Sequence, residues 1–157
     1  MKGCVLAEQM HVVNILPPVD ADAAAANSDV FSMKNHGHVS IIIQGGVSAG
    51  AVPTVTVEAC DDFVPSNTTA IAFNVYKEET TAGDTLGART AVASTGMAMS
   101  QNNNIMYVIE IDAAELPDGK PNLRVCFTDP GAADLISAVA ILSGCRFVGE
   151  QSETAIA

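Results

Sequence analysis

Residues 54–60 have the sequence TVTVEAC, in which small apolar and polar side chains alternate. Successive side chains of a β-strand point to opposite faces of its sheet. Val55, Val57 and Ala59 should therefore share a buried face, while Glu58 and the threonines face water. This pattern predicts a half-buried strand and is the first indication of an all-β fold.

Two further stretches extend the pattern. Residues 122–128, NLRVCFT, again place apolar side chains at every second position. Residues 104–112, NIMYVIEID, are apolar on both faces, since Met106 and Val108 stand opposite Ile105 and its alternate neighbours. Strands that are covered on both faces have such continuous apolar runs. We therefore expect this strand to be central in its sheet or covered by another chain.

From residue 29 onward, short runs of β-branched and apolar residues are separated by Gly, Pro, Asn and Asp. This punctuation is typical of all-β sandwiches and barrels, so we predict an antiparallel β-sandwich of jelly-roll type with about eight strands. The predicted strands are residues 30–33, 38–44, 54–60, 70–77, 89–93, 105–112, 122–128 and 135–142. The last of them, LISAVAIL, could be a buried helix by periodicity alone. A preceding Asp-Pro-Gly turn and three β-branched residues favour a strand.

A chain of 157 residues can bury one sizeable core. We predict an N-terminal arm with an Ala-rich spacer at 1–28, a sandwich domain at 29–147 and a C-terminal tail at 148–157. Pro17-Pro18 is expected to end regular structure, and DADAAAAN at 20–27 is expected to form a loop or one helical turn.

An apolar arm outside a domain is expected to lie over a neighbouring molecule, as is the second face of an apolar strand. The sequence therefore predicts partner-binding side chains in the arm and in strand 105–112. They are Val5, Leu6, Met10, Val12, Val13, Ile15, Leu16, Met106 and Val108.

Charge limits the possible partners. Seven Lys and Arg stand against 18 Asp and Glu, which gives a net charge of −11. Such a field repels phosphate backbones and anionic lipid, so neither nucleic acid nor membrane is an expected partner. The first 19 residues lack the layout of a signal peptide, and we expect the protein to remain in the cytosol until lysis.

Several patterns could carry chemistry, and each also has a structural interpretation. Glu58, Asp61 and Asp62 could bind Ca²⁺ but match no EF-hand, so a solvated loop is favoured. His36 and His38 could share a metal, but two ligands do not make a site, and a turn before the next strand is favoured.

The glycines at 45, 46 and 50 lack the Lys-Ser/Thr of a phosphate loop, and a mobile strand connection is favoured. The four cysteines form no C-x-x-C pair and are expected to be reduced thiols. No Gly-x-Ser-x-Gly elbow occurs. We therefore expect a structural protein with no catalytic residue, metal or cofactor.

Five stretches carry a resemblance to a known family. These stretches resemble small proteins of tailed bacteriophages, the head decoration or cement proteins. They are residues 55–73, 82–87, 104–116, 123–129 and 137–147.

The resemblance implies a β-sandwich that forms a dimer or trimer and binds the major capsid protein on the outside of the mature head. It also implies assembly in the host cytoplasm and a final location on the virion surface. Three alternatives remain open: a tail or head–tail junction protein, a carbohydrate-binding module and a small hydrolase. A carbohydrate-binding module would need aromatic platforms, and the chain has no Trp and two Tyr.

Overall fold

The structure is a computed structural model that describes residues 3, 5–21, 24–80 and 84–145. This part of the chain is almost entirely β-structure, and no helix in it is long and apolar enough to cross a membrane. In chain order the elements are α1 Leu6–Gln9, β1 His11–Asp20, β2 Ala26–Asn27, β3 Phe31–Ser32, β4 His38–Ser48, β5 Thr54–Cys60, β6 Thr68–Ile71, β7 Phe73–Glu78, β8 Thr90–Val92, β9 Met97–Ala98, β10 Ile105–Asp112, a 3-10 helix Ala113–Glu115, β11 Asn122–Phe127 and β12 Asp134–Ser143.

The strands form two antiparallel sheets of six strands each. The first sheet has the order β1-β12-β4-β10-β7-β8. The second has the order β2-β11-β5-β6, with β3 also paired to β11 and β9 to β5. The predicted all-β sandwich is confirmed. The described residues form twelve strands where eight were expected. The two-residue strands β2 and β9 are too short to be recognised and the pattern of β1 is too irregular. The predicted strand at 70–77 is divided into β6 and β7, which belong to different sheets.

The alternation seen in the sequence decides which side chains enter the core. Val57 pairs with Val125 across β5 and β11, and both are fully buried. Leu123 and Phe127 are also buried, as predicted. Strand β10 lies between β4 and β7 and sends its odd-numbered residues inward, so its predicted central position is confirmed. Its even-numbered residues lie on the outer face of the first sheet.

The N-terminal residues are the largest correction to the predicted organisation. Residues 11–20 are not an arm, because β1 pairs with β12 along its length. Val13, Ile15 and Leu16 belong to the hydrophobic core of their own chain, with 4%, 0% and 8% of their surface exposed. The prediction that these three side chains bind a partner is therefore wrong, because they are buried inside their own chain.

Pro17 and Pro18 lie within β1 and do not end it. β1 is the edge strand of the first sheet, where the nitrogen of one of two consecutive residues points away from the partner strand, and neither proline is paired with a residue of β12. The register shifts on both sides of Leu16 also show that the pairing to β12 adjusts near the prolines.

The predicted boundary at residue 28 is also not seen. Ala21 is buried, and Ala26–Asn27 forms β2 against β11, so the spacer joins the two sheets. Residues 134–143 form a strand and not a helix, as predicted. The predicted tail at 148–157 lies outside the described residues.

Gly45 and Gly46 lie inside β4 and not in the strand connection that the sequence suggested. A Cβ at Gly45 would lie 2.8 Å from Cγ1 of Ile105, and one at Gly46 would lie 3.0 Å from Cβ of Leu135. The glycines are therefore required by close packing of β4 against its neighbours, near the register shift in β12.

An apolar face and a polar cleft as the candidate functional site

The outer face of the first sheet carries a continuous apolar row. Val139 pairs with Ile42, Ile42 with Val108, and Val108 with Tyr76, across four adjacent strands. Directly opposed side chains in antiparallel pairs lie about 5 Å apart, so each member of the row contacts the next one. Each is partly exposed, and no described element covers them. The sheet therefore presents an apolar surface to its surroundings.

The row widens toward the edge strand. Ile141 pairs with Val12, whose surface is 45% exposed. We refer to the surface made by these residues on β1, β12, β4 and β10 as the outer apolar face. It consists of Val12, Ile42, Val108, Val139 and Ile141.

The structure separates the predicted partner-binding residues into two groups. Val13, Ile15 and Leu16 are buried in the core, as described above. The others retain exposed surface: two belong to the outer apolar face, Met106 lies beside it on β10, and three lie at or before β1. These six are Val5, Leu6, Met10, Val12, Met106 and Val108.

A cleft of about 560 Å³ opens beyond the outer apolar face, over β10 and β7. We refer to it as the polar cleft. Its wall combines carboxylates, cations, hydroxyls and an amide with a small apolar floor. The lining residues are His38, Ser40, Asn74, Tyr76, Leu86, Arg89, Val108, Glu110, Asp112 and Glu115.

His38 is the centre of the hydrogen bonding in this cleft. Its Nε2 lies 2.6 Å from Oε2 of Glu110, and its Nδ1 lies 2.7 Å from Oδ1 of Asp112. A carboxylate oxygen accepts hydrogen bonds, so this geometry favours the protonated ring, in which both nitrogens donate. Burial alone would lower the pKa of His38, but the hydrogen bonds to Asp112 and Glu110 outweigh it and raise the pKa above 6.5.

Ser40 completes the cluster in a way that differs from a Ser-His-acid arrangement. Its Oγ donates to Oε2 of Glu110 at 2.7 Å, the oxygen that also bonds His38. A general base must accept the hydroxyl proton on a ring nitrogen, whereas both nitrogens of His38 lie against carboxylates and the Ser40 hydroxyl bonds Glu110. The cluster is therefore built to hold two carboxylates in place.

We expect the His38→Gln variant to lose part of the pH dependence of stability. A raised pKa in the folded state stabilises the protein fully below pH 6.5, and this contribution is lost as the pH rises through the folded-state pKa. The side chain is 34% exposed, so solvent screening limits the effect to about 1 kcal/mol or less. Urea denaturation followed by circular dichroism at several pH values measures it. Ser40→Ala is the matched control, because it removes one bond to Glu110 and leaves the imidazolium. An unchanged pH profile in His38→Gln would contradict the assignment.

His36 lies elsewhere, and the two histidines share no site. Its ring stacks on His11 with centroids 6.0 Å apart, and neither ring nitrogen has a hydrogen-bond partner among the described residues. Burial lowers the pKa of His36, as does the neighbouring His11. Its backbone N–H donates to Met33, so the turn before β4 is confirmed. No group of three His, Cys, Asp or Glu in the described ranges is placed to hold a metal ion.

The carboxylates of Glu58 and Asp61 form an ion pair and hydrogen bonds with residues of the same chain. Glu58 pairs with Arg124 across β5 and β11 at 2.7 Å. Asp61 accepts hydrogen bonds from the backbone of Ser66 and Asn67 and from the Ser66 hydroxyl, and these bonds lower the pKa of its carboxyl. The structure therefore favours the loop interpretation over a Ca²⁺ site for these carboxylates.

The cysteines in the described ranges are unpaired thiols. Burial raises the pKa of Cys126 to about 12 and also raises the pKa of Cys60. A nucleophilic cysteine needs a lowered pKa, because the thiolate is the reactive form. The raised pKa values of Cys60 and Cys126 keep both thiols protonated and unreactive. Cys4 lies outside the described residues.

No protein-family model matches the chain, and no curated protein has a significantly similar sequence.

Sequence inspection missed the His38 cluster. The signal was present as two i, i+2 pairs, His38 with Ser40 and Glu110 with Asp112, each of which places both side chains on one face of a strand. The register that pairs Asp112 with His38 and Glu110 with Ser40 joins residues 74 and 70 positions apart. Local pattern contains no information on that pairing.

Proposed function

We propose that the chain is a capsid decoration (cement) protein of a tailed bacteriophage. In this role it binds the outside of the mature head and stabilises the contacts between capsid subunits. The observation that supports it best is the outer apolar face, which lies on the first sheet and is not covered by any described element. The resemblance of residues 104–116 and 123–129 to this family adds to it, and these residues include β10 and all of β11 except its first residue.

An apolar face of this kind can stabilise an assembly without chemistry. Burial of apolar surface contributes roughly 25 cal/mol per Å² removed from water. A protein that binds only the expanded shell stabilises that shell by its binding free energy. A lattice repeats this contribution at every site, so a modest contact gives a large total effect. The proposed partners are the major capsid protein and further copies of this chain in a dimer or trimer.

Charge agrees with this role. The net charge of −11 keeps copies of the chain soluble before they bind. The outer apolar face itself carries no formal charge, so association through it does not require a charge to be desolvated.

The first test is quantitative peptide mass spectrometry on gradient-purified particles of the phage that encodes the chain. We expect a ratio to the major capsid protein of one, or a simple fraction of one. The double variant Ile42→Ser and Val139→Ser should weaken the affinity of each site at least about tenfold, or about 1.4 kcal/mol, and so lower the copy number at subsaturating concentrations of the chain. Val64→Ser is the matched control, because Val64 is 81% exposed and lies on the loop after β5.

The other outcomes contradict the proposal in different ways. A few copies per particle would assign the chain to the tail or the head–tail junction. Absence from purified particles would exclude a virion protein. Full occupancy by the double variant would show that the outer apolar face is not the contact.

A further inference from the structure

We infer that the polar cleft is a binding site for a neutral polyhydroxylated ligand, of the class of oligosaccharides. This goes beyond the proposed function, which uses the outer apolar face of the same sheet. The two surfaces adjoin and share Val108, and the cleft extends from β4 across β10 to β7. β7 is separated from β1 by four strand spacings of about 4.8 Å, so a partner seated on β1 and β12 leaves the β7 side of the cleft open.

The cleft wall has hydrogen-bond donors and acceptors close to one another. Glu110 binds His38 through Oε2, so its Oε1 remains as an acceptor, while the Asp112 side chain is also part of the capping box of the following 3-10 helix. Asn74 and Arg89 make no side-chain hydrogen bond with the described residues, and they add donors and a further acceptor. A sugar hydroxyl donates and accepts at once, and a wall with both functions side by side suits several hydroxyls on one ring.

The charges in the cleft exclude the two charged ligand classes. Three carboxylates, together with the net charge of −11, oppose an anion. A cation would compete with His38, which already lies between Glu110 and Asp112. The third carboxylate, Glu115, accepts the backbone N–H of Asp112 at 3.0 Å. Arg89 adds a second cation to the wall. A neutral ligand is not repelled by the carboxylates and does not compete with His38 for them.

The cleft floor supplies the apolar surface that a sugar ring needs. Tyr76 and Val108 are register partners on β7 and β10, and Leu86 lines the cleft with them. Tyr76 is the tyrosine available for this role, since Tyr107 is fully buried and its hydroxyl donates to Glu79. An aromatic ring with a polar edge packs against the C–H face of a sugar and bonds its hydroxyls.

The polar wall is also pre-ordered. His38 and Ser40 hold Glu110 on the same oxygen, and all three stand on β4 and β10, which pair over eight residues. Side chains fixed before binding lose little conformational entropy when a ligand arrives. The cleft volume of about 560 Å³ lies within the range typical of small-molecule sites.

The test is an NMR titration of the ¹⁵N-labelled full chain with a panel of neutral oligosaccharides. The panel contains cellobiose, chitobiose, lactose and maltotriose, with lysine amide and sulfate as charged probes. We expect at least one saccharide to shift the amides of residues 74–76, 86–89 and 108–112 saturably below about 10 mM, as a millimolar site would. Tyr76→Ala and Glu110→Gln should each weaken this binding about tenfold, or about 1.4 kcal/mol.

Asn14→Ala is the matched control, because Asn14 is exposed on β1 of the same sheet. It should leave the titration unchanged, and unshifted amides outside the cleft show that each variant is folded. Three results would overturn the inference: no saccharide saturates, only lysine amide or sulfate binds, or saccharide binding survives both cleft variants. The titration uses no phage particle, so its result is independent of the proposed capsid function.

Discussion

Replacing Gly96 with alanine is expected to destabilise the fold by about 3 kcal/mol or more. Gly96 has a φ of +85°, in the region that alanine adopts only with strain. An alanine Cβ would also lie 2.3 Å from the carbonyl oxygen of Val55 and 2.6 Å from Cγ2 of Thr56. Both atoms belong to β5 in the second sheet, so the contact cannot be relieved without moving that strand. Urea denaturation followed by far-ultraviolet circular dichroism gives the free energy of unfolding.

Gly119→Ala is the matched control for this variant. Gly119 has a φ of +77°, but no atom lies within 4 Å of the position of its Cβ. It should lose only the conformational contribution, about 1 kcal/mol. Equal losses at the two positions would show that the contact with β5 carries no cost. The difference between them therefore isolates the steric effect from the backbone effect.

Replacing Ile15 with alanine is expected to cost about 3 kcal/mol, within the 2–5 kcal/mol typical of large-to-small changes in a core. Ile15 is fully buried in the hydrophobic core although it lies in the first 20 residues. β1 is held by β12, so its side chains cannot move freely to fill the cavity. The unfolding midpoint in urea measures this cost.

Val12→Ala is the control, because Val12 lies on the same strand with its side chain 45% exposed on the opposite face. It should change the unfolding free energy by no more than about 0.5 kcal/mol. If Ile15→Ala unfolds at the same urea concentration as the wild type, residues 11–20 are an independent arm after all. A large loss at Ile15 alone establishes them as part of the domain.

The burial of β1 also changes how the proposed function should be tested. An arm can be deleted while its domain stays folded, whereas removal of residues 1–20 would remove a strand and three core side chains, Val13, Ile15 and Leu16, with the contacts that β1 makes with β12. Binding to capsids is therefore better tested with point changes on the outer apolar face. Ile42 and Val139 are suitable because they point away from the core.

Local sequence was sufficient to predict the fold class and the faces of the central strands. The alternation in Thr54–Cys60 and Asn122–Phe127 predicted which residues enter the core, and the two apolar faces of Ile105–Asp112 predicted a central strand. The predicted bounds of Thr54–Cys60 and Ile105–Asp112 agree with the structure. A side-chain period of two is a property of each strand by itself, so no knowledge of its neighbours was needed.

Local sequence was not sufficient to predict β1, because Pro17-Pro18 would end a central strand but is tolerated in an edge strand. The chain alone does not say which strand will be an edge; that depends on the order β1-β12-β4 in the finished sheet.

The candidate site depends on tertiary structure to a greater degree. The sequence by itself determined an acidic all-β sandwich whose strand at Ile105–Asp112 has two apolar faces. Only the pairing of β4 with β10 placed His38 between Glu110 and Asp112, and only the sheet order joined Ile42, Val108 and Val139 into one surface. The physical reason is that side-chain periodicity is local, whereas strand register and order arise from contacts between residues far apart in the chain.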